Sequence, residues 1–173
     1  MFHQAAELPK KESKPMSQAF QMAFLSVALA AAAWAQAKPD FSGVWKLNID
    51  ETEFTGPKPS PSTFSAVRTV QQRNKDIRLK IENNRNGKKG GFDFVTIPIA
   101  GEPHVSDEAG IITAEWKGEI LHFHYLYNPG TDRQSERIED WTRSADGKKI
   151  VDQEVLTRAD GKELRYKIVF DKQ

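Results

Sequence analysis

The 173-residue chain contains no cysteine. That excludes a disulfide framework and a lipid anchor on a cysteine. It also lacks an apolar run long enough to span a bilayer. Its run of apolar or small residues, Ala23 to Ala33, is eleven residues, where a spanning helix takes about 20. No G-x-S-x-G, H-E-x-x-H, phosphate-loop or dinucleotide fingerprint occurs, so no motif announces an enzyme. An excess of one charge is missing too. Of 25 basic and 24 acidic residues, Lys10, Lys11, Lys14 and Glu7, Glu12 fall in the first 37, which leaves 22 of each beyond. A neutral domain argues against nucleic acid or an anionic membrane as partner, since both need a clustered positive field.

What is present begins with an export signal. The basic stretch at Lys10, Lys11 and Lys14 precedes the apolar run, and Ala35-Gln36-Ala37 follows it. Small-x-small is the pattern signal peptidase accepts, which predicts cleavage after Ala37 and a secreted or periplasmic protein. Met16 is an alternative start, with residues 1–15 then an upstream extension. The rest, 38–173, is one domain's worth of chain.

Short alternating segments between turn signals run through that domain. The pattern predicts strands near 43–49, 65–73, 76–83, 92–99, 110–116, 119–127, 134–143, 148–158 and 163–171, with a tenth at 102–106. Residues 131–143 also offer a capping box, Thr131 with Gln134, but the following hairpin needs a strand partner there. Asn86-Gly87, Lys117-Gly118, Asp146-Gly147 and Asp160-Gly161 mark tight hairpins. Pro57, Pro59 and Pro61 between Gly56 and Ser62 suit neither helix nor ladder and read as an extended strap or flexible linker over 56–62. Nine or ten strands in an antiparallel meander tend to curl or close into a barrel.

Hairpin registers assign the faces. A Lys117-Gly118 loop places Ile112, Ala114, Trp116, Leu121, Phe123, Tyr125 and Tyr127 on one aromatic face, the expected interior. His122 and His124 share the opposite face with Glu115. That is a metal-ligand geometry, but the simpler reading is two histidines facing solvent, and no metal site is predicted. A two-residue Asp160-Gly161 loop pairs Arg158 with Glu163, Glu154 with Lys167, Val155 with Tyr166 and Val151 with Phe170. This turns Val151, Gln153, Val155 and Thr157 inward and Glu154 outward. For 145–147, a three-residue loop would set Trp141 opposite Val151 and bring Arg137 and Glu139 inside, whereas the plainer alternative is an Arg–Glu pair on the outer surface.

Phe41-Ser42-Gly43-Val44-Trp45-Lys46-Leu47 resembles the F-x-G-x-W-K-L opening strand of calycin barrels, the lipocalins and fatty-acid-binding proteins. The chain also resembles a set of uncharacterised exported bacterial proteins that open D-F-S-G-x-W-K-L-N and end in a strand like Tyr166–Lys172. The resemblance implies a closed barrel with an apolar cavity, Trp45 plugging its base. Two departures stand out. The strap replaces the two-helix lid of fatty-acid-binding proteins. Ile168 and Phe170 stand where their last strand carries an R-x-Y carboxylate clamp.

The expectation is therefore an all-β, lipocalin-like barrel that binds a small apolar or amphipathic molecule, without cofactor or catalytic residues. Trp45, Trp116, Phe123, Tyr125, Tyr166 and Phe170 would line the ligand site, and Arg137 would be its polar handle. Ala114, Gln153 and Thr157 would leave the gap. Two alternatives remain: an interaction module of the cell envelope, and an enzyme with its site at the barrel rim.

Overall fold

The computed structural model describes residues 38–106 and 110–173. The export signal lies outside the described residues. Ten strands follow one another: β1 (Gly43–Leu47), β2 (Phe64–Gln72), β3 (Asp76–Arg85), β4 (Lys88–Pro98), β5 (His104–Ser106), β6 (Gly110–Lys117), β7 (Ile120–Tyr127), β8 (Ser135–Arg143), β9 (Lys149–Thr157) and β10 (Glu163–Lys172). Every named pair is antiparallel, in the order β4-β3-β2-β1-β10-β9-β8-β7-β6-β5. The first strand thus lies beside the last, and the meander curls round on itself. A bridge from Ile99 to Ala114 and the Gly101 N–H on the Ala114 carbonyl at 2.9 Å join the two edges. The result is a nearly closed barrel of the lipocalin-like kind. No helix of the described residues is long and apolar enough to cross a membrane.

The reason for strands is local. Apolar residues recur at every second position, and the turns carry residues that tolerate positive φ. Asn86 and Gly87 both have positive φ, at 53° and 79°, the conformation of the tight hairpin that fits strand twist. It lets β4 start at Lys88, four residues before the expected position. A register shift between Leu79 and Ile81 then bends the β3–β4 pair. At the β6–β7 hairpin the loop is Gly118-Glu119, because Lys117 pairs with Ile120. The slip leaves every residue on its expected face.

The β9 register does not follow the expectation. In the last hairpin Glu163 pairs with Thr157 and Tyr166 with Glu154. Arg158 N–H donates to the Lys162 carbonyl, and Gly161 N–H donates back to the Arg158 carbonyl, so Ala159 to Gly161 form the loop. The preceding hairpin is one residue longer than expected as well, since Trp141 pairs with Asp152 and Arg143 with Ile150. Each one-residue slip flips β9 relative to a neighbour. Ile150, Asp152, Glu154 and Leu156 therefore face inward, while Gln153 is exposed. The predicted pairs Glu154–Lys167, Val155–Tyr166 and Val151–Phe170 do not form. The outer-surface reading of Arg137 and Glu139 also falls, because Glu139 is fully buried beside Trp141.

One end of the barrel is packed solid. Phe41, Trp45, Ile77, Leu79, Ile97, Ile112, Ala114, Leu121, Phe123, Trp141 and Ile150 are all fully buried there. The Trp45 indole N–H donates to the Phe41 carbonyl at 2.8 Å. Phe123 lies 4.7 Å from Trp141 between ring centroids, and Phe41 meets both Trp141 and Trp116 near 6 Å.

The outward histidines are less solvated than expected. His122 Nδ1 lies 2.6 Å from Asp140 Oδ1, and His124 Nε2 lies 3.6 Å from Glu136. Half-exposed pairs of this kind contribute about 0–1 kcal/mol. Replacing both histidines by Gln should lower stability by about 1 kcal/mol or less, and zinc should leave the wild-type melting temperature unchanged. A zinc-dependent rise lost in the double variant would reveal a metal site.

Candidate ligand site

The other end of the barrel is not filled. A cavity of about 550 Å³ opens there, with Leu47, Phe64, Ala66, Ile81, Leu156 and Ile168 among its apolar lining. The proline strap forms one wall through Phe54, Pro57 and Pro59. It is tied down at both ends. Glu53 N–H donates to the Lys167 carbonyl at 2.8 Å, and the Lys167 ammonium meets the Glu53 carboxylate at 2.7 Å. At the far end Asn86 N–H donates to the Thr63 carbonyl at 2.7 Å, and Phe54 packs edge-on against Phe64. Three prolines cost the strap little entropy on ordering, so two anchors hold it without a helix.

Beneath the cavity lies a layer of buried charge. Arg68 of β2 reaches across the barrel. Its Nη1 donates to Asp152 at 2.9 Å, its Nη2 lies 3.4 Å from Glu139, and its guanidinium plane sits between the rings of Trp141 and Phe170. Arg137 Nε lies 3.0 Å from the other oxygen of Glu139, with the guanidinium over Tyr125 at 4.4 Å and Tyr127 at 5.5 Å. The Trp141 indole N–H completes the shell of Glu139 at 2.9 Å. Glu154 stands next to Glu139 across the β8–β9 ladder and belongs to the cavity wall.

Burial and charge set the protonation of this layer. Burial opposes the charge of Glu139, but Arg68 and Arg137 outweigh it and hold the carboxyl below its usual range. Asp152 goes the other way: burial, then the neighbouring Glu139, push it well above the carboxylate range. Burial followed by Glu139 raises Glu154 to about 7. Burial also pushes Tyr127 up to about 12. One oxygen each of Glu139, Asp152 and Glu154 lie within 4.8 Å of one another. Those three could hold a metal ion, but the Arg68 guanidinium already sits against two of them.

The raised Glu154 carries a sign for stability. A carboxyl with a raised folded-state pKa is neutral in the fold below about 7 and ionised in the unfolded chain above about 4.5. Stability is therefore fully present below the unfolded value and is lost as pH rises through about 7. Glu154→Gln should be more favourable relative to wild type at pH 8 than at pH 5, by on the order of 2–3 kcal/mol in chemical denaturation. A gap independent of pH would place the titration elsewhere.

The expected site residues divide by depth. Arg137, Tyr166 and Phe170 line the cavity. Trp45, Phe123 and Tyr125 are buried in the packed part of the barrel, and half-buried Trp116 covers Phe41 there. Of the residues expected to leave the gap, Ala114 is inward, Gln153 is exposed, and Thr157 sits on the other β9 face from the cavity-lining Glu154 and Leu156. Arg68, Asp152 and Glu154 were not anticipated. A weak signal existed for Arg68, which alternates with Ala66 and Val70 on β2. The acids of β9 gave none, because Ile150 and Leu156 flank them on one face while Val151 and Val155 offer an equally apolar one.

Strand order and the pairing of the first strand with the last make a nearly closed ten-stranded antiparallel barrel with a strap-walled mouth. No protein-family model and no curated protein matches the chain. Among solved structures, human cRBP IV is similar at 14% sequence identity and a TM-score of 0.46, covering 78% of this chain and 98% of its own.

Proposed function

We propose that this protein is an exported carrier that binds a small amphipathic molecule in the barrel cavity. The observation that carries the reading is the half-filled interior. One end is close-packed, and the other keeps about 550 Å³ between apolar walls and a charged floor. That volume falls in the range of ligand sites, roughly 300–1,000 Å³. The interaction-module alternative has less support. Among the described residues the exposed large apolar side chains are Val44 and Val105, on strands that do not pair, and two scattered residues make no docking patch.

An apolar fluorescent probe should bind saturably at one site. Ala66→Trp, which places an indole in the cavity, should lower that affinity at least tenfold while the protein stays folded. Saturable binding untouched by Ala66→Trp would move the site elsewhere, and no saturable binding to folded protein would remove the carrier reading. Export is tested separately. Sequencing the N-terminus of protein recovered outside the cytoplasm should read from Lys38. A mature form that keeps residues 20–37 would refute the cleavage.

A further inference from the structure

Glu154 is the one member of the charged layer to which the fold supplies no partner. Only 8% of the residue is exposed, and it lines the cavity. Arg68 holds Asp152, and Arg68, Arg137 and Trp141 surround Glu139. Among the described residues, no hydrogen bond or ion pair closes on the Glu154 carboxylate. An unpaired buried carboxylate is costly, and a leucine or glutamine at this place would avoid the cost. The layer carries two guanidinium groups against three carboxylates, and Asp152 keeps its proton because burial and Glu139 push it well above the carboxylate range. In the free protein Glu154 also holds a proton below about 7. A cation that enters the cavity can stand in for that second proton.

Resting on the carrier reading above, we propose that the cavity takes a cationic amphiphile: an alkylammonium whose N–H groups donate to Glu154 and whose chain lies along the apolar walls. The groups around Glu154 fit that choice. Glu139 from β8 adds negative potential, Tyr166 lies opposite on β10, and Tyr127 stays a neutral phenol. Arg137 from β8 and Arg68 from β2 oppose a cation, but both are held against the ionised Glu139 and their faces lie against aromatic rings. Arg85 of β3, also in the cavity wall, is the remaining cation. A carboxylate headgroup would meet guanidinium groups already engaged and an ionised Glu154 of its own sign.

The cation replaces a proton, so binding is coupled to pH. An alkylamine titrates near 10 and stays charged across the neutral range. Glu154 loses its proton at about 7, so affinity should rise as pH rises, by about tenfold between pH 6 and pH 8. Displacement of the bound fluorescent probe by decylamine, decanol and decanoate, each below its aggregation concentration, tests this at both pH values. Decylamine should be tightest at pH 8 and weaken about tenfold at pH 6. Glu154→Gln should abolish both the preference for decylamine over decanol and its pH dependence. Decanol or decanoate binding as tightly as decylamine at pH 8 would overturn the amine assignment and leave the carrier reading standing. An amine preference that persists in Glu154→Gln would also overturn it. If none of the three displaces the probe, the carrier reading falls as well.

Discussion

Arg68→Met should destabilise the protein by about 3–5 kcal/mol, the range for removing one partner from a buried ion cluster. The side chain is 95% covered and is the common neighbour of two fully buried carboxylates. Methionine keeps much of the volume between Trp141 and Phe170 but no charge. Glu139 would then depend on Arg137 and the Trp141 N–H, and Asp152 would have no cation. Part of the loss should be recoverable with acid. Both carboxyls would prefer their protonated forms without Arg68, and a raised folded-state pKa confers stability that is lost as pH rises. The deficit measured in urea should therefore be larger at pH 8 than at pH 5. A deficit below about 1 kcal/mol at pH 8 would mean that Asp152 and Glu139 already share protons well enough to do without the arginine.

Trp45→Ala should cost a similar amount, about 3–5 kcal/mol, for a different reason. Trp45 is fully buried on the shortest strand of the barrel's central run. Its ring fills the packed end, its N–H closes the Phe41 carbonyl, and β1 is what joins β2 to β10. Removing the ring leaves a void and one unsatisfied buried carbonyl. The loss should be independent of pH between 5 and 8, which separates it from Arg68→Met. Trp45→Phe should recover more than half of the loss, since most of the volume returns without the N–H. A Phe variant as damaged as Ala would show that the hydrogen bond to Phe41, rather than packing, holds the end shut.

The barrel was legible because its determinants are local. Alternation in β6 and β7 fixed the aromatic face even though the loop between them was shifted, since a two-residue displacement of pairing preserves parity. The prolines over 56–62 excluded helix by their own chemistry, whatever surrounds them. Antiparallel neighbours followed from short turns. The charged layer was illegible on the same grounds. Ala145-Asp146-Gly147-Lys148 and Ala159-Asp160-Gly161-Lys162 are identical tetrapeptides, yet the first spans from Ser144 to Lys149 and the second from Arg158 to Lys162. Their loop lengths differ by one residue, and one residue decides which face of β9 enters the barrel.

The sequence by itself determined an all-β chain of nine or ten strands, the aromatic interior of β6 and β7, the proline-rich segment that is no helix, and the place of Trp45 in the opening strand. Each depends on residues near one another along the chain. Only the tertiary structure decided that Asp152 and Glu154 point inward, that Arg68 crosses the barrel to meet Asp152 84 residues away, and that the aromatic rings fill one end while the other stays open. Burying an acid contradicts the alternation that sequence reading relies on. It becomes tolerable only when a guanidinium from a distant strand arrives at the same depth, and that coincidence exists only after the first and last strands have met.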